Sequence, residues 1–409
     1  MIGTLAASIG ILLAATPLAA RQQGPSSAPA DPLVVYLMTM GPGEAIYERF
    51  GHNAIWVRDT VAGTDRIYNF GMFDFQQENF YWNFAKGRPR YWLDTWSLEG
   101  TMRVYSATRR TVEVQELALT AAQKADLAAS LAFNANPENR TYTYDYYLDN
   151  CSTRVRDALD QVLGGALRRA TEGVPGEGSF RFHTQRSTTN DPWMYLGILA
   201  AMGPRADAPR DQWEEMFLPE KVQDRVRELR VRDEAGREVP LVAREATLLE
   251  FDEFAVLPAP PDWTWPLLGI GALIAAVMAS GVIAGGVGVA GRVAAGAWSV
   301  VATLAGVLLV FLGGFTDHVM TAWNLNLTLL SPLAAVIIAL LFVRRDRPWL
   351  VTAAKAYGAI AMLGAIVTLT LHPQDNREVV ALALLPSLAA VVVAVAVSRR
   401  RAAAPPVPR

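Results

Sequence analysis

The feature that most constrains this chain is the apolar character of its C-terminal part. From about Trp263 to Ser398 nearly every residue is apolar, and only short polar segments interrupt the runs. Each run is close to the roughly 20 residues that an α-helix needs to cross the hydrocarbon core of a bilayer. The pattern therefore predicts a bundle of five membrane-spanning helices, at about 264–284, 293–314, 327–343, 349–371 and 378–398.

The basic residues between these runs predict the orientation of the helices. They all fall on one side of the bundle, and the positive-inside rule assigns that side to the cytoplasm. The opposite side carries Asp262 and two polar outer segments, 315–326 and 372–378. We therefore expect a multi-pass membrane protein whose N-terminal domain is exported and enters the first span from outside the cytoplasm. The basic residues are Arg292, Arg344, Arg345, Arg347, Arg399, Arg400 and Arg401.

The first 20 residues agree with export of the N-terminal domain. They contain an apolar run that ends in the small residues Ala19 and Ala20, as secretory signals do. The residues before the run include no Lys or Arg, so a cleaved signal peptide and an uncleaved N-terminal anchor both fit 1–20. Composition predicts the remaining divisions: a linker at 21–31, an exported globular domain at 32–262, the membrane domain at 263–398 and a cytoplasmic tail at 399–409.

Composition also argues against two classes of partner. The formal net charge is −2 at pH 7, so the chain has no basic excess that would suggest nucleic acid. The four histidines are scattered and the chain contains one cysteine, so no spacing typical of a metal site is present. We therefore predict no nucleic-acid partner, no metal and no cofactor.

The single cysteine, Cys151, is the first candidate for chemistry. Asp149 and Asn150 are favoured N-cap residues, and Val155 and Leu159 follow at helical spacing. Cys151 is therefore predicted in the first turn of a helix, where free backbone N–H groups and the helix dipole favour a thiolate. A lone cysteine also fits a small buried hydrophobe, although an unpaired thiol in an oxidising compartment needs a reason to persist.

His52 is the candidate base for that thiol. It stands at the start of an apolar run, residues 52–57, that is typical of a strand. A cysteine on a helix and a histidine on a strand form the arrangement of papain-like thiol enzymes, here with the histidine first. In such folds a polar residue on the next strand orients the ring, and Asn69 is the first candidate and Tyr68 the second. Asn69 could instead cap the turn at Gly71.

The Cys151 helix also offers a candidate oxyanion hole. Its first backbone N–H groups, including that of Cys151, could stabilise a developing negative charge. Asn150 is a possible further contributor.

Two segments could meet the membrane surface. The aromatic stretch 80–96 is interleaved with Lys86, Arg88 and Arg90, a mixture that fits either a packed core or the headgroup region. The outer segment 315–326 is either a solvated loop with helix caps or part of a lipid-headgroup site. The residues of this loop that would then contact lipid are His318, Asn324 and Asn326.

Two smaller expectations concern the exported domain. The segment 102–105 is predicted to form a strand. His183 is either an exposed structural residue, which we favour, or a second ring near the thiol.

Taken together, these motifs resemble those of the Lnb-type periplasmic-domain membrane proteins, a lipoprotein N-acyltransferase family with an exported thiol domain followed by several spans. The resemblance covers nearly the whole chain after residue 32. The matching stretches are Gly51-His52, Tyr68-Asn69-Phe70-Gly71-Met72-Phe73-Asp74-Phe75, Phe80 to Gly87, Asp149-Asn150-Cys151-Ser152-Thr153-Arg154, Trp213 to Pro219, and His318 to Asn326.

The resemblance implies a location, a fold and a reaction. The location is the bacterial inner membrane, as a multi-pass protein with the N-terminal domain in the periplasm. The fold is an α+β papain-like domain, permuted so that His precedes Cys, followed by an all-α transmembrane bundle of five helices. The reaction moves a fatty acyl chain from a membrane phospholipid to the N-terminal amine of a lipoprotein, with Cys151 as nucleophile and His52 as base. Tyr68 and Arg154, within the same motifs, are expected to contact substrate.

The same short motifs also occur in other papain-like enzymes. The alternative activity is therefore that of a cysteine peptidase or amidase that acts on cell-envelope peptides with the same Cys–His dyad. A non-catalytic binding module with a buried thiol is a third interpretation.

Overall fold

The structure is a computed structural model that describes residues 31–284, 286–343 and 347–403. Residues 1–20, predicted as a signal or anchor, lie outside the described residues, as do all but Asp31 of the predicted linker. Arg344, Arg345 and the end of the predicted tail, 404–409, lie outside them as well.

The exported part is built on one large antiparallel sheet. Seven strands form it in the order β11-β5-β1-β2-β3-β4-β6, and two small sheets pair β7 with β8 and β9 with β10. The strands are β1 (Leu33–Met40), β2 (His52–Asp59), β3 (Thr64–Met72), β4 (Arg90–Trp96), β5 (Val112–Leu117), β6 (Thr141–Thr143), β7 (Pro175–Ser179), β8 (Pro209–Asp211), β9 (Arg230–Arg232), β10 (Glu238–Pro240) and β11 (Val242–Leu249).

Helices cover both faces of this sheet. In β2 the side chains of Ile55 and Val57 pack under α3, α4 and α9, whereas Ala54 and Trp56 face α2. This alternation is what a strand buried on two faces requires. The helices of the exported part are α1 (Phe80–Ala85), α2 (Leu98–Ala107), α3 (Ala121–Ala135), α4 (Cys151–Val162), α5 (Ala166–Thr171), α6 (Phe180–Thr188), α7 (Pro192–Ala201), α8 (Gln212–Glu215) and α9 (Pro219–Glu228).

One predicted strand is wrong, because residues 102–105 belong to α2. Ser97 caps this helix by accepting the N–H of Gly100 at 3.1 Å. Thr101 and Tyr105, four residues apart, are its buried side chains. The spacing of four residues is the helical one, and together with the cap it outweighs the strand propensity of the short segment.

The membrane part contains five helices long and apolar enough to cross a bilayer, within the described residues. Four are continuous, and they are α10 (Thr264–Ile283), α11 (Val289–Phe315), α13 (Pro348–Leu371) and α14 (Arg377–Ala403). The third span covers Leu325–Phe342. The predicted α+β domain followed by a five-helix bundle is therefore confirmed.

The third span is broken rather than continuous. It consists of two 3₁₀ turns, Leu325–Thr328 and Pro332–Ala334, followed by α12 (Ala335–Phe342). Irregular backbone at membrane depth requires polar partners within the protein, and Tyr357 Oη donates a hydrogen bond of 2.6 Å to the carbonyl oxygen of Leu329. Pro332 stands at the start of the second turn, where its lack of an N–H is harmless.

Arginine side chains close the far end of the third span. Arg292 donates a hydrogen bond to the carbonyl oxygen of Leu341 at 2.9 Å, and Arg401 donates to those of Leu340, Leu341 and Val343. These carbonyls end α12 and have no partner within the helix. The cluster places Arg292 and Arg401 at the same end of the bundle, which is the end that their sequence positions assigned to the cytoplasm.

Candidate functional site

Helix α4 begins at Cys151, and Asn150 is its N-cap. The Oδ1 atom of Asn150 accepts the N–H of Thr153 at 2.9 Å, and Thr153 Oγ1 accepts the N–H of Asn150 at 2.7 Å. This reciprocal cap leaves the N–H groups of Cys151 and Ser152 without a hydrogen-bond acceptor among the described residues. Two backbone donors therefore remain free beside the thiol, at the positive end of the helix dipole.

His52 is the first residue of β2 and lies beside Cys151. Gly51 precedes it with φ = +81°, and a β-carbon at Gly51 would lie 2.7 Å from the carbonyl oxygen of Met40. Only glycine fits this close approach, which brings the chain into register with Met40 opposite His52. A glycine at position 51 is therefore required for the backbone path that places the His52 ring.

Asn69 orients the His52 ring. Asn69 is buried on β3, and its Nδ2 donates to the carbonyl oxygen of Ile67 at 3.3 Å, so its Oδ1 faces the ring. Nε2 of His52 lies 3.2 Å from that Oδ1 and donates to it. A neutral imidazole has one donor and one acceptor nitrogen, so Nδ1 is left as the acceptor. Asn69, the first candidate predicted from the sequence, is thus the residue that contacts the His52 ring.

The surroundings of the Cys151 thiol favour its ionised form. Burial raises the pKa of the thiol. The charge of His52, a hydrogen bond with its ring and the backbone N–H of Asn53 lower the pKa by more, so that it lies below the ordinary value. The structure thus brings Cys151 and His52 into contact across a separation of about a hundred residues.

Gly71 provides the space that Cys151 occupies. It has φ = +83° and stands where the pairing of β3 with β4 is irregular, between Asn69 and Met72. A β-carbon at Gly71 would lie 3.3 Å from Cβ of Cys151 and 3.4 Å from Cε2 of Tyr144. The close approach of Gly71 to Cys151 was not predicted, although a glycine within a strand often marks a bulge or such an approach.

Three residues expected at the site have other partners. Both hydrogens of Asn150 Nδ2 are used, by the carbonyl oxygens of Tyr146 at 2.8 Å and Phe217 at 2.9 Å, so the side chain holds no spare donor for an oxyanion. Arg154 forms a two-hydrogen-bond pair with Asp149 and lies over a tyrosine ring. Tyr68 is buried in the core on the α4 face and Asn69, not Tyr68, contacts His52.

The segment 213–219 ties the two halves of the site together. Its carbonyl groups accept hydrogen bonds from Arg156 on α4 at 2.9 Å, from Asn150 at 2.9 Å and from Asn53 Nδ2 on β2 at 3.4 Å. The same short stretch of backbone therefore contacts the helix that carries Cys151 and the strand that carries His52. This gives the sequence motif Trp213 to Pro219 a positioning role.

His183 is buried rather than exposed, which corrects the favoured interpretation. Its Nδ1 accepts from Arg186 Nε at 3.1 Å, so Nε2 carries the proton and donates to Glu215 Oε1 at 2.8 Å. That carboxylate oxygen also accepts the backbone N–H groups of Glu177 and Gly178. Every nitrogen of the ring is used, and the residue is structural: it links α6 to the segment that contains Glu215.

The two asparagines of the outer loop are open neither to solvent nor to lipid, which corrects that part of both interpretations. The expected cap is present, because Asn324 Oδ1 accepts the N–H of Asn326 at 2.9 Å at the start of the turn Leu325–Thr328. Asn324 and Asn326 are buried, and their Nδ2 atoms donate to the carbonyl oxygens that end α7. The distances are 2.8 Å and 2.9 Å from Asn324 to Ala200 and Ala201, and 2.9 Å from Asn326 to Ala200. These residues therefore join the exported domain to the membrane domain.

The second outer segment completes this junction. Gln374 donates to the carbonyl oxygen of Met202 at 2.9 Å and to Asn324 Oδ1 at 3.1 Å, and Asn376 donates to Asn326 Oδ1 at 2.6 Å. We call Asn324, Asn326, Gln374 and Asn376 the amide cluster. Gln374 and Asn376 were not predicted to take part, although the two amide-rich segments on the same side of the bundle were a signal.

His318 links the outer loop to the exported domain near the thiol. Burial lowers the pKa of its ring, and Nε2 donates to the carbonyl oxygen of Phe84 at 3.1 Å. The ring stacks on that of Tyr146, with 6.5 Å between centroids, and Tyr146 lies 5.7 Å from Tyr144. Because Tyr144 lines the space beside Gly71 and Cys151, the outer loop lies two aromatic rings from the thiol.

Comparison with known families agrees with this arrangement. Residues 22–187 match the model of the Lnb N-terminal periplasmic domain, and residues 262–401 match that of the Lnb transmembrane domain. No curated protein and no solved structure resembles the chain closely enough to count as a match. The two family models together cover most of the chain, in the order in which the structure has the two domains. The chain therefore belongs to the Lnb family of multi-pass inner-membrane proteins with a periplasmic N-terminal domain.

Proposed function

We propose that this protein is a lipoprotein N-acyltransferase that uses Cys151 as nucleophile and His52 as base. The donor is a membrane phospholipid and the acceptor is the N-terminal amine of a lipoprotein. One observation carries the proposal: the thiol whose pKa is lowered by its histidine lies two aromatic rings from an outer loop of the membrane domain. A nucleophile at that position is within reach of substrates that reside in the bilayer.

In the first step the Cys151 thiolate attacks the carbonyl carbon of a phospholipid ester. A carbon–sulfur bond forms, the ester carbon–oxygen bond breaks, and the departing glycerol oxygen takes the proton that His52 accepted from the thiol. The free N–H groups of Cys151 and Ser152 stabilise the negative charge on the carbonyl oxygen. The products are a lysophospholipid and an acyl thioester on the enzyme.

In the second step the amine of the lipoprotein attacks the thioester. His52 Nδ1 takes a proton from the amine, a carbon–nitrogen bond forms and the carbon–sulfur bond breaks, which restores the thiolate. Asn69 holds the proton of the ring on Nε2 throughout, so that Nδ1 remains the atom that exchanges protons. Asn150 acts as a positioning residue, since its amide hydrogens bind backbone carbonyls.

The proposal is tested by an assay that measures whether the fatty acyl group is transferred to an acceptor peptide. Full-length protein in phospholipid vesicles is mixed with a synthetic peptide that begins with diacylglyceryl-cysteine, and products are measured by mass spectrometry. We expect the peptide to gain one fatty acyl group on its amine, with an equal amount of lysophospholipid, and Cys151→Ala to give neither. Free fatty acid without acylated peptide would indicate a lipid hydrolase, and a cleaved peptide would indicate the peptidase; either result would contradict the proposal.

A further inference from the structure

Helix α1 exposes three large aromatic side chains on one short segment. The exposed fractions are 72% for Tyr81, 59% for Trp82 and 43% for Phe84. Each such side chain presents a large apolar area, about 150–250 Å² when fully exposed. Contiguous apolar patches of this kind on a soluble surface mark a contact with another molecule or with a membrane.

The end of α1 rests on the membrane helix α11. Lys86 Nζ donates to the carbonyl oxygen of Phe315 at 3.4 Å and lies 6.0 Å from the ring centroid of Phe311. The backbone N–H of Asp317 donates to the carbonyl oxygen of Lys86 at 2.9 Å. Phe315 and the preceding outward-facing residues of α11, such as Leu308, are exposed. The aromatic surface of α1 therefore continues the surface that α11 presents to lipid.

The other side of α1 leads to the thiol through a series of aromatic contacts. Phe84 lies 6.0 Å from Tyr146, and Tyr146 lies 5.7 Å from Tyr144, measured between ring centroids. Tyr144 borders the space at Gly71 that also contacts Cys151. We call Phe84, Tyr146 and Tyr144 the aromatic wall. It joins the lipid-facing surface to the candidate nucleophile without a charged side chain among its members.

We propose that α1 inserts Tyr81 and Trp82 into the outer leaflet of the membrane, and that the aromatic wall binds an acyl chain of a glycerophospholipid as its ester approaches Cys151. The evidence for insertion of α1 is its exposed aromatic side chains and the continuity of their surface with the lipid-facing surface of α11. The role of the wall in binding an acyl chain rests on the proposed acyltransferase function. Lys86, which lies over the Trp82 ring at 5.2 Å, is then at the depth of the phosphate groups.

The depth of α1 is measurable because Cys151 is the only cysteine of the chain. In a Cys151→Ser background, a nitroxide label is attached at Trp82→Cys or, as a matched control, at Val61→Cys. Val61 is 83% exposed in the turn after β2, at the opposite end of that strand from His52. Both full-length proteins are placed in vesicles of phosphatidylethanolamine and phosphatidylglycerol.

Collision rates of the label with oxygen and with a water-soluble nickel chelate give its depth. We expect the label at position 82 to collide more with oxygen and less with the chelate than the label at position 61. Equal accessibility to the chelate at the two positions would overturn the insertion of α1. This measurement involves no acyl transfer, so its result is independent of the proposed function.

The delivery of lipid from the inserted α1 to the wall is tested with Trp82→Glu and the matched Val61→Glu. Formation of an acyl thioester on Cys151 from vesicle phospholipid is measured beside alkylation of the same thiol by iodoacetamide. We expect Trp82→Glu to slow thioester formation by about tenfold, because a carboxylate resists insertion, while alkylation stays unchanged and Val61→Glu behaves as wild type. A wild-type rate of thioester formation in Trp82→Glu would overturn the delivery of lipid by α1. Absence of a thioester in the wild-type protein would contradict the proposed function and the acyl-binding role of the wall. The conclusion about the insertion of α1 would still depend only on the depth measurement.

Discussion

Two helix ends in this protein differ in whether their terminal backbone groups have hydrogen-bond partners. The C-terminus of α7 is closed, because Asn324 and Asn326 of the membrane domain take the carbonyl oxygens of its last turn. The N-terminus of α4 is open, because Asn150 accepts the N–H of Thr153, and the N–H groups of Cys151 and Ser152 have no acceptor within the described part of the chain. Helix ends always present unpaired backbone groups. The closed end joins the two domains, and the open end leaves two backbone donors beside the thiol, which the proposed chemistry requires.

Charge follows the same division. The guanidinium of Arg181 is buried at the C-terminal end of α7, where it donates to the carbonyl oxygens of Leu199 and Met202 at 3.1 Å and 2.9 Å. At the N-terminal end of α4 the thiol of Cys151 has a lowered pKa. The helix dipole favours a cation at a helix C-terminus and the ionised form of a thiol at a helix N-terminus. Substitutions at the α4 N-terminus should therefore affect activity, whereas substitutions at the α7 C-terminus should affect stability.

The largest effect is expected at the open end. Replacing Cys151 or His52 with alanine should lower acyl transfer by at least about 10³-fold, because the nucleophile or its base is lost. The double variant should be little worse than either single one, since the two act as a unit. Initial rates of peptide acylation check this, with the amount of folded protein as control. A single variant that keeps near-wild-type turnover would refute the dyad, and Cys151→Ala protein that fails to accumulate would favour a purely structural thiol.

Loss of the ring orienter should give the next largest effect. Asn69→Ala removes the acceptor of His52 Nε2 and should lower turnover by about 10²-fold through misplacement of the ring. Asn69→Asp keeps an acceptor oxygen and should retain more activity than Asn69→Ala. Circular dichroism and the thermal unfolding midpoint identify folded protein in both. Equal turnover in the alanine variant and the wild type would show that the contact has no role in orientation.

At the closed end we expect a loss of stability with intact chemistry. Asn326→Ala leaves Asn376 Nδ2 without its acceptor and removes a donor to Ala200, which should cost about 1–3 kcal/mol in the free energy of unfolding. The matched control is Asn139→Ala, because the exposed Asn139 donates to a carbonyl oxygen at the end of α3 that water can reach instead. Denaturant unfolding in detergent should separate the two variants. Identical unfolding of both would show that the amide cluster does not hold the domains together.

The smallest effect concerns pH. His52 lowers the pKa of the Cys151 thiol, so in the wild type the alkylation rate should reach half its maximum below the ordinary thiol pKa. Burial, which raises the pKa, remains after His52→Ala, so the midpoint should move to higher pH in that variant. The rate of iodoacetamide reaction across pH measures this shift. A midpoint that stays the same or moves to lower pH in His52→Ala would show that His52 does not lower the pKa of the Cys151 thiol.

Local signals in the sequence predicted much of this architecture. The cap at Asn150, the helical spacing behind it and the apolar runs of the membrane domain all lie within a few residues of the elements they specify. The contact of His52 with Asn69 was also predicted, because the two residues lie on neighbouring strands joined by a short turn. These features required no knowledge of distant partners.

The features that were not predicted correctly mostly depend on distant partners. Asn324 and Asn326 looked like loop residues because their acceptors on α7 lie more than a hundred residues away. His183 was favoured as exposed because nothing nearby in sequence revealed its partner Glu215. The break in the third span is different, since Pro332 within the predicted 327–343 helix was a local signal that its run of apolar neighbours concealed.

The most direct test of the account is the mass of Cys151 after exposure to phospholipid alone. Full-length protein in phospholipid vesicles, without acceptor peptide, is quenched in acid and digested, and the peptide that contains Cys151 is weighed. The account predicts a mass increase of one fatty acyl group that hydroxylamine removes and that is lost in His52→Ala. An unmodified Cys151 in protein that iodoacetamide still alkylates, or a peptidyl adduct formed when envelope peptides are supplied, would contradict it.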